Sequence, residues 1–216
     1  MDPVDRQVLL SDLIIRPARL ADVTPILALH QEAFADKFGG AFGLAGVERG
    51  SAALTAAWQR QGEHALRGMF VAEWQQQVIA TTTLRTWEMG DDDPITTELA
   101  FQQVLGLWGA TRSMFALSLL SHQIERGEGF ITDVAVQAQF RRQGVARLLL
   151  ERAAEQARRL RKRYLSLYVS GSNTGAIRLY TEMGFRRKKA RHSFLTWLFF
   201  RQRTWFYMCK DLTIFQ

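Results

Sequence analysis

The sequence predicts an α/β domain. Short apolar runs rich in β-branched and aromatic residues alternate along the chain with longer stretches whose apolar residues recur at helical spacing. No internal repeat or low-complexity linker divides them, so one domain over residues 1–216 is expected. With 216 residues, 47% hydrophobic and 23% charged, the composition is ordinary for a globular chain with one sizeable core.

Taken in order, residues 13–16 are a short apolar run ended by Pro17 and read as a first strand. Thr24 followed by Pro25 offers an N-cap with proline at the first helical position. Val23, Ile26, Leu27 and Phe34 then carry a helix to about residue 36. The segment KFGGAFGLAG reads as a glycine-rich loop. It follows a helix and not a strand, so it is no dinucleotide-binding turn. Residues 51–61 form a second short helix, and 68–74 with 78–87 form a hairpin. Asp91, Asp92, Asp93 and Pro94 make a turn and helix start. Residues 95–123 are then one or two helices, with Gly106 and Gly109 interrupting. Next come a strand at about 129–136, a helix at 144–161, a strand at 164–169, a helix at 174–183, a strand near 185–187 and a last strand at 205–212.

Composition narrows the function classes. The single cysteine, Cys209, excludes an internal disulfide and a Cys-rich zinc site, and its apolar surroundings predict a buried, inert thiol. His30, His64, His122 and His192 show no paired spacing, so no metal site is expected and each reads as structural or solvent-facing. The N-terminal MDPVDRQVLL lacks a basic and then apolar leader pattern. The apolar stretch 99–120 contains Gln102, Gln103 and Arg112, too polar for a membrane span. A cytoplasmic protein without a membrane partner is expected. The net charge of +7, clustered at 158–163 and 186–191, suits a polyanionic ligand, either a phosphorylated cofactor or nucleic acid.

The strongest signal is FITDVAVQAQFRRQGVARLLLERA, an apolar strand ending at Val136 that turns through RRQGVAR into an amphipathic helix. A helix start offers free N–H groups and the positive end of the macrodipole, an anion site. Gly144 lets the backbone approach a diphosphate and Ala146 keeps the next contact small, while Arg141, Arg142 and Arg147 add charge. Further on come a second strand, YLSLYV, and then NTGAIRLYTEMGF with Asn173, Ala176, Tyr180, Gly184 and Phe185.

Together these motifs resemble the GNAT superfamily of N-acetyltransferases, specifically over residues 131–185. The resemblance implies the GNAT acyl-CoA N-acyltransferase fold, an α+β arrangement of helices around a central twisted, mostly antiparallel sheet in which two strands splay apart. It implies acetyl-CoA as cosubstrate and no metal. Val134 and Val136 would offer backbone groups to the pantetheine arm, and Arg141, Arg142, Gln143, Gly144, Val145, Ala146 and Arg147 would hold the diphosphate. Asn173 would bond the arm, the Val134 N–H would hold the oxyanion, and Tyr180 would protonate the departing thiolate. For the general base three options stand: Glu128, Asp133 or water. Strand parity puts Glu128 on the side of Phe130, Thr132 and Val134, if no bulge intervenes, and Asp133 on the opposite side.

The chain is longer than many members. A helical insertion at about 88–126 and a tail insertion at 190–203 are expected to flank the acceptor, the first as a cover for the cleft, a subunit contact or plain core packing. The reading is therefore transfer of an acetyl group to a primary amine of a small molecule, peptide or protein, with a homodimer left open. The alternatives are a catalytically silent acyl-CoA-binding regulator and a basic nucleic-acid-associated protein, nucleic acid being the less expected partner.

Overall fold

The structure, a computed structural model, describes residues 6–43, 47–90 and 94–213. The strands β1 (Ile14–Pro17), β2 (Met69–Trp74), β3 (Gln77–Thr86), β4 (Glu128–Val136), β5 (Tyr164–Ser170), β6 (Arg186–His192) and β7 (Thr204–Asp211) form one sheet in the order β1-β2-β3-β4-β5-β7-β6. Neighbours are antiparallel except β4 and β5, which run parallel. The helices are α1 (Arg6–Ser11), α2 (Val23–Ala33), α3 (Ala35–Phe42), α4 (Val47–Gln61), α5 (Pro94–Ser118), α6 (Val145–Arg159), α7 (Thr174–Glu182) and α8 (Phe194–Phe200). This is the mixed, mostly antiparallel sheet between helices that the resemblance implies.

Side-chain alternation explains why the sheet is covered on both faces. In β5, Leu165, Leu167 and Val169 point one way and join Leu149, Leu150, Ala153 and Ala157 of α6 in the main core, with Tyr180, Met183 and Phe185 from the α7 region. On the other face, Met69 and Val71 of β2 pack with Val23, Ile26 and Leu27 of α2. Farther out, α3, α4 and α5 close around Ala53, Ala57 and Phe101, and α8 docks on α3 and α5 through Phe200, Ala41 and Ala116.

Several boundaries differ from the sequence expectation. The N-cap of α2 is Asp22, so Thr24 and Pro25 lie in its first turn, where proline loses no helical bond. The helix breaks at Phe34 (φ −126°, ψ 36°) and resumes as α3 through Phe42, so most of the expected glycine-rich loop is helical; residues 44–46 lie outside the described ones. Gly40 is there for close helix packing, since a Cβ on it would stand 2.2 Å from the Phe199 carbonyl oxygen. The second helix starts at Val47, four residues early. The expected turn at Asp91–Asp93 lies outside the described residues. Gly106 (φ 73°, ψ 171°) interrupts α5 but Gly109 does not. β6 extends to His192, and the rest of the tail insertion contains α8.

Two irregularities of β4 create the site. It pairs with β5 only from Glu128 to Ile131, opposite Tyr164 to Leu167, and beyond that point the strands part. Its register with β3 shifts between Ile131, opposite Leu84, and Asp133, opposite Thr83. Thr132 is the extra residue of a bulge. Parity therefore inverts: Asp133 shares the face of Glu128 and Phe130, whereas Val134 and Val136 join Ile131 on the α6 side. The expected shared face of Glu128 and Val134 is thus corrected, because the bulge inserts one residue between them.

Candidate active site

The parting of β4 from β5 opens a cleft of about 1080 Å³ that reaches from the start of α6 to Tyr180 and Trp205. On its β4 wall, Gln137 donates its N–H to Ile79 of β3 at 2.9 Å. Strand alternation then turns the N–H and C=O groups of Val134 and Val136 to the side that β5 has vacated. The Val136 carbonyl is met by the Arg141 Nε at 2.8 Å, which leaves its N–H as the open group.

At the far end, Gly144 is the N-cap of α6 in the left-handed region (φ 98°), and no side chain caps the helix. The first bond of α6 runs from Leu148 N–H to Gly144 C=O at 3.2 Å. The preceding N–H groups therefore have no partner within the helix and make up the positive end of its dipole. Arg142, at φ 62°, completes the concave turn. The flanking arginines are partly engaged by carboxylates: Arg141 pairs with Glu32 at 3.0 Å, and Arg147 with Glu182 at 3.0 Å. Asn173 is the N-cap of α7; its Oδ1 accepts from the Ala176 N–H at 3.1 Å, leaving its NH₂ as donor on the cleft wall.

Where the strands part, Tyr180 lies buried. Burial and the nearby negative charge of Asp133 both push its pKa up, so the hydroxyl keeps its proton at neutral pH. Burial opposes the ionisation of Asp133, but the hydrogen bond and charge of His30, 3.2 Å away, together with the hydroxyls of Thr132 and Thr83, outweigh it and hold the carboxyl below the usual range. Lys37 stands across the gap, its Nζ 4.4 Å from the Phe34 ring centre and 5.6 Å from that of Trp205. Burial pushes its ammonium pKa down, and Asp133 only partly restores it. The buried Trp205 Nε1 has no partner among the described residues.

Lys37, Thr132, Tyr168 and Trp205 also line a second cavity of about 350 Å³, on the α2 and α5 side of the sheet. Leu119, Leu120, His122 and Ile124 form its outer wall, so the end of the 88–126 segment reaches it. Trp108 and Phe115 of that segment are exposed and not packed on the sheet. His122 is held in a ring cluster with Phe130 at 4.4 Å and with Tyr168 and Tyr207 at 5.5 Å. Behind it Glu128 is fully buried and accepts from His122 Nε2 at 2.9 Å, the Glu125 N–H at 2.9 Å, Tyr207 OH at 2.7 Å and Ser166 Oγ. Burial disfavours the carboxylate, but these donors prevail and bring its pKa down to about 2.

The chain matches the acetyltransferase (GNAT) family over residues 31–185. It belongs to that family. It is 36% identical over 67 residues to GCN5-related N-acetyltransferase 4, chloroplastic, of Arabidopsis thaliana; the match covers 31% of this chain and 23% of that protein, so the chain spans less than a quarter of its curated relative. Among solved structures, it is similar to the ribosomal-protein-S18-alanine N-acetyltransferase of Escherichia coli, with a TM-score of 0.57, 17% identity, and coverage of 94% of this chain and 96% of the other. It is also similar to the PaiA N-acetyltransferase of Thermoplasma acidophilum in complex with coenzyme A, with a TM-score of 0.59, 12% identity, and coverage of 92% and 98%.

In this GNAT chain the residues singled out by sequence fall into two groups. Val134, Val136, Arg141, Arg142, Gly144, Val145, Ala146, Arg147, Asn173 and Tyr180 all line the large cleft. Gln143 and Glu128 do not: Gln143 Nε2 donates to the Gln139 carbonyl at 2.9 Å, and Glu128 sits behind His122, which lines the second cavity. His122, Ser166, Tyr207, Lys37 and Trp205 were not anticipated. The alternation in YLSLYVS and TWFYMCK marks Ser166, Tyr168, Trp205 and Tyr207 as one polar–aromatic face, but no spacing ties that face to residues 37 and 122. Cys209 lies on that face, half-buried and not fully buried, and desolvation raises the pKa of its thiol. Among the described residues no cluster of His, Cys, Asp and Glu could hold a metal.

Proposed function

We propose that the protein is an acetyl-CoA-dependent N-acetyltransferase acting on a primary amine of a small molecule or peptide. The observation that carries this reading is the parting of β4 from β5 directly after Ile131, with the uncapped start of α6 at one end and the His122–Glu128 pair beyond the other. Coenzyme A needs an anion nest, a hydrogen-bonding edge for its amide-bearing arm, and room. The N–H groups of residues 142–147, the free edge at Val134 and Val136, and a cleft of about 1080 Å³ fit those needs. Acetyl-CoA would supply the acyl group as a thioester.

The chain's own groups would do the rest. N–H groups at the start of α6 hold the diphosphate, with Arg142 and Arg147 adding charge. Val134, Val136 and the Asn173 amide hold the arm, and the Val134 N–H steadies the oxyanion. Tyr180, kept protonated by burial and by Asp133, hands its proton to the departing sulfur. Glu128, with its pKa near 2, is a poor acceptor for an ammonium proton and lies behind His122. His122 therefore takes that proton, and Glu128 fixes its tautomer and balances the charge it gains, which revises the direct role expected from sequence.

The acceptor cavity combines Leu119, Leu120, Ile124 and Phe130 with the cations Lys37 and Arg191. That lining suits an amine attached to an apolar group with a carboxylate near it, as in a peptide with an acidic residue close to its N-terminus. The alanine acetyltransferase among the structural relatives makes peptide N-termini the first acceptors to try. The test is turnover with acetyl-CoA on a panel of peptides and small amines, following thiol release and product mass. Acetylated product is expected. Coenzyme A binding without any product would favour the silent binder.

A further inference from the structure

The net charge of this chain is concentrated in one stretch. Between Glu182 and Asp211 there is no acidic residue and there are eight Lys and Arg, more than the whole net charge of +7; elsewhere acids and bases nearly balance. The stretch is β6, α8 and β7. All seven residues of the edge strand β6, RRKKARH, are exposed, and no ion pair among the described residues engages its cations.

From this basic strand the chain passes straight into α8, whose outer side is apolar. Thr196 and Phe200 face inward, while Phe194 is 69%, Leu198 52% and Trp197 40% exposed. The surface continues onto α5: Phe199 meets the Phe115 ring at 5.8 Å, and the Arg112 guanidinium lies 5.5 Å from the Phe199 ring centre. Trp108 stands one turn before Arg112 on the same stripe and is 86% exposed. Arg201, over Trp197 at 5.8 Å, and Arg203 follow α8. The result is an aromatic and aliphatic platform preceded in the chain by the basic strand β6 and followed by Arg201 and Arg203, a larger apolar display than scattered surface residues explain.

We infer that this platform docks the protein on the surface of a phospholipid bilayer that carries anionic headgroups. Tryptophan, phenylalanine and leucine side chains settle at the boundary of headgroups and acyl chains, and flanking Lys and Arg draw them to negative lipids. A second copy of the chain fits poorly, since pairing these faces would press two basic strands together. Nucleic acid would satisfy the cations but leave Trp108, Phe194 and Leu198 in water. Among the described residues no helix is long and apolar enough to cross a membrane, so the contact is peripheral. This proposal departs from the sequence expectation of no membrane partner and does not depend on the acetyl-transfer reading.

The experiment is flotation of the full chain with vesicles of phosphatidylcholine alone and of phosphatidylcholine with phosphatidylglycerol in equal parts, over a salt series. Binding to the anionic vesicles is expected to be at least about tenfold tighter and to weaken with salt. Leu198→Glu and, separately, Trp108→Ala combined with Trp197→Ala should each cost about tenfold or more in vesicle affinity. Both target exposed positions, so the circular dichroism spectrum and coenzyme A affinity should stay as in the wild type. Lys188→Glu with Lys189→Glu should abolish the preference for anionic lipid. Equal binding to both vesicles, or vesicle affinity unmoved by the apolar variants, overturns the proposal. So does a wild-type dimer in vesicle-free sedimentation that Leu198→Glu breaks, because the platform then belongs to a second copy.

Discussion

Gly144 holds a backbone angle of φ 98° at a helix start that no side chain caps. Placing a carboxylate there would fill the anion nest with the chain's own charge. Gly144→Asp should weaken coenzyme A binding at least about tenfold by calorimetry in a protein that still folds. Gly144→Ala separates the backbone effect, costing ~1–2 kcal/mol of stability through the unfavourable φ without adding charge. Tyr180→Phe removes only a buried hydroxyl. If that hydroxyl protonates the sulfur, kcat should fall by about 10²-fold with little change in cofactor affinity. An undiminished kcat would leave Tyr180 as a packing residue beside Phe185, with which its ring is already in contact at 5.8 Å. On the other half of the proton traffic, His122→Gln should lower kcat/KM at neutral pH by about 10²-fold with little change in cofactor affinity. Glu128→Gln should lower kcat/KM less, and an undiminished kcat/KM in His122→Gln would return the role to Asp133 or water. At this scale most residues that line the large cleft were readable, because RRQGVAR and NTGAIRLYTEMGF are local. Glu128 was legible as a residue but not in its environment, since its donors come from positions 122, 125, 166 and 207.

At the scale of elements, the boundary corrections share one cause, which is tertiary contact overriding local preference. Glycines near residue 40 suggest a loop by propensity, yet α3 forms there because α8 and α5 hold it. Arg112 donates to the carbonyls of Ala41 and Gly40 at 2.7 and 2.9 Å, and Ser113 adds a bond to Ala41 at 3.0 Å. These donors satisfy carbonyls at the C-terminal end of α3 that have no helical partner. Gly40→Ala should therefore destabilise despite the better helix propensity of alanine. Its Cβ would press on backbone at 2.2 Å, and overpacking of this kind costs about 1–3 kcal/mol, readable as a lowered thermal midpoint. A midpoint equal to or above the wild type would show that α8 yields easily at this contact.

For the whole molecule, the buried Glu128 ties β4, β5 and β7 to the loop before β4, and this tie is pH-dependent. Its folded pKa of about 2 lies below its ordinary value of 4.5. The stability it contributes is thus complete above about pH 4.5 and is lost as the pH falls towards 2. Wild type should exceed Glu128→Gln in urea midpoint at neutral pH, with the gap narrowing as pH drops through that window. A gap independent of pH would mean that the carboxylate charge is not what the surrounding donors stabilise.

What the sequence by itself determined is the set of features that adjacent residues encode. Alternating and helical periodicities marked every strand and the helices α2, α4, α5, α6 and α7, but not α1, α3 or α8, and a strand, a glycine turn and an amphipathic helix in succession marked the uncapped helix start. The proposed cofactor site depends largely on backbone within one strand–turn–helix unit, so its signature is short-range. Tertiary structure alone decided the parity of β4, since a one-residue bulge at Thr132 moved Asp133 onto the face of Glu128. It also decided the second cavity, proposed above to take the acceptor, where Lys37, His122, Arg191 and Trp205 converge from four separate elements or loops. The same holds for the apolar platform, which exists only because α8 lies beside α5. Such sites depend on which surfaces meet after the chain has folded, and spacing along the chain does not record that.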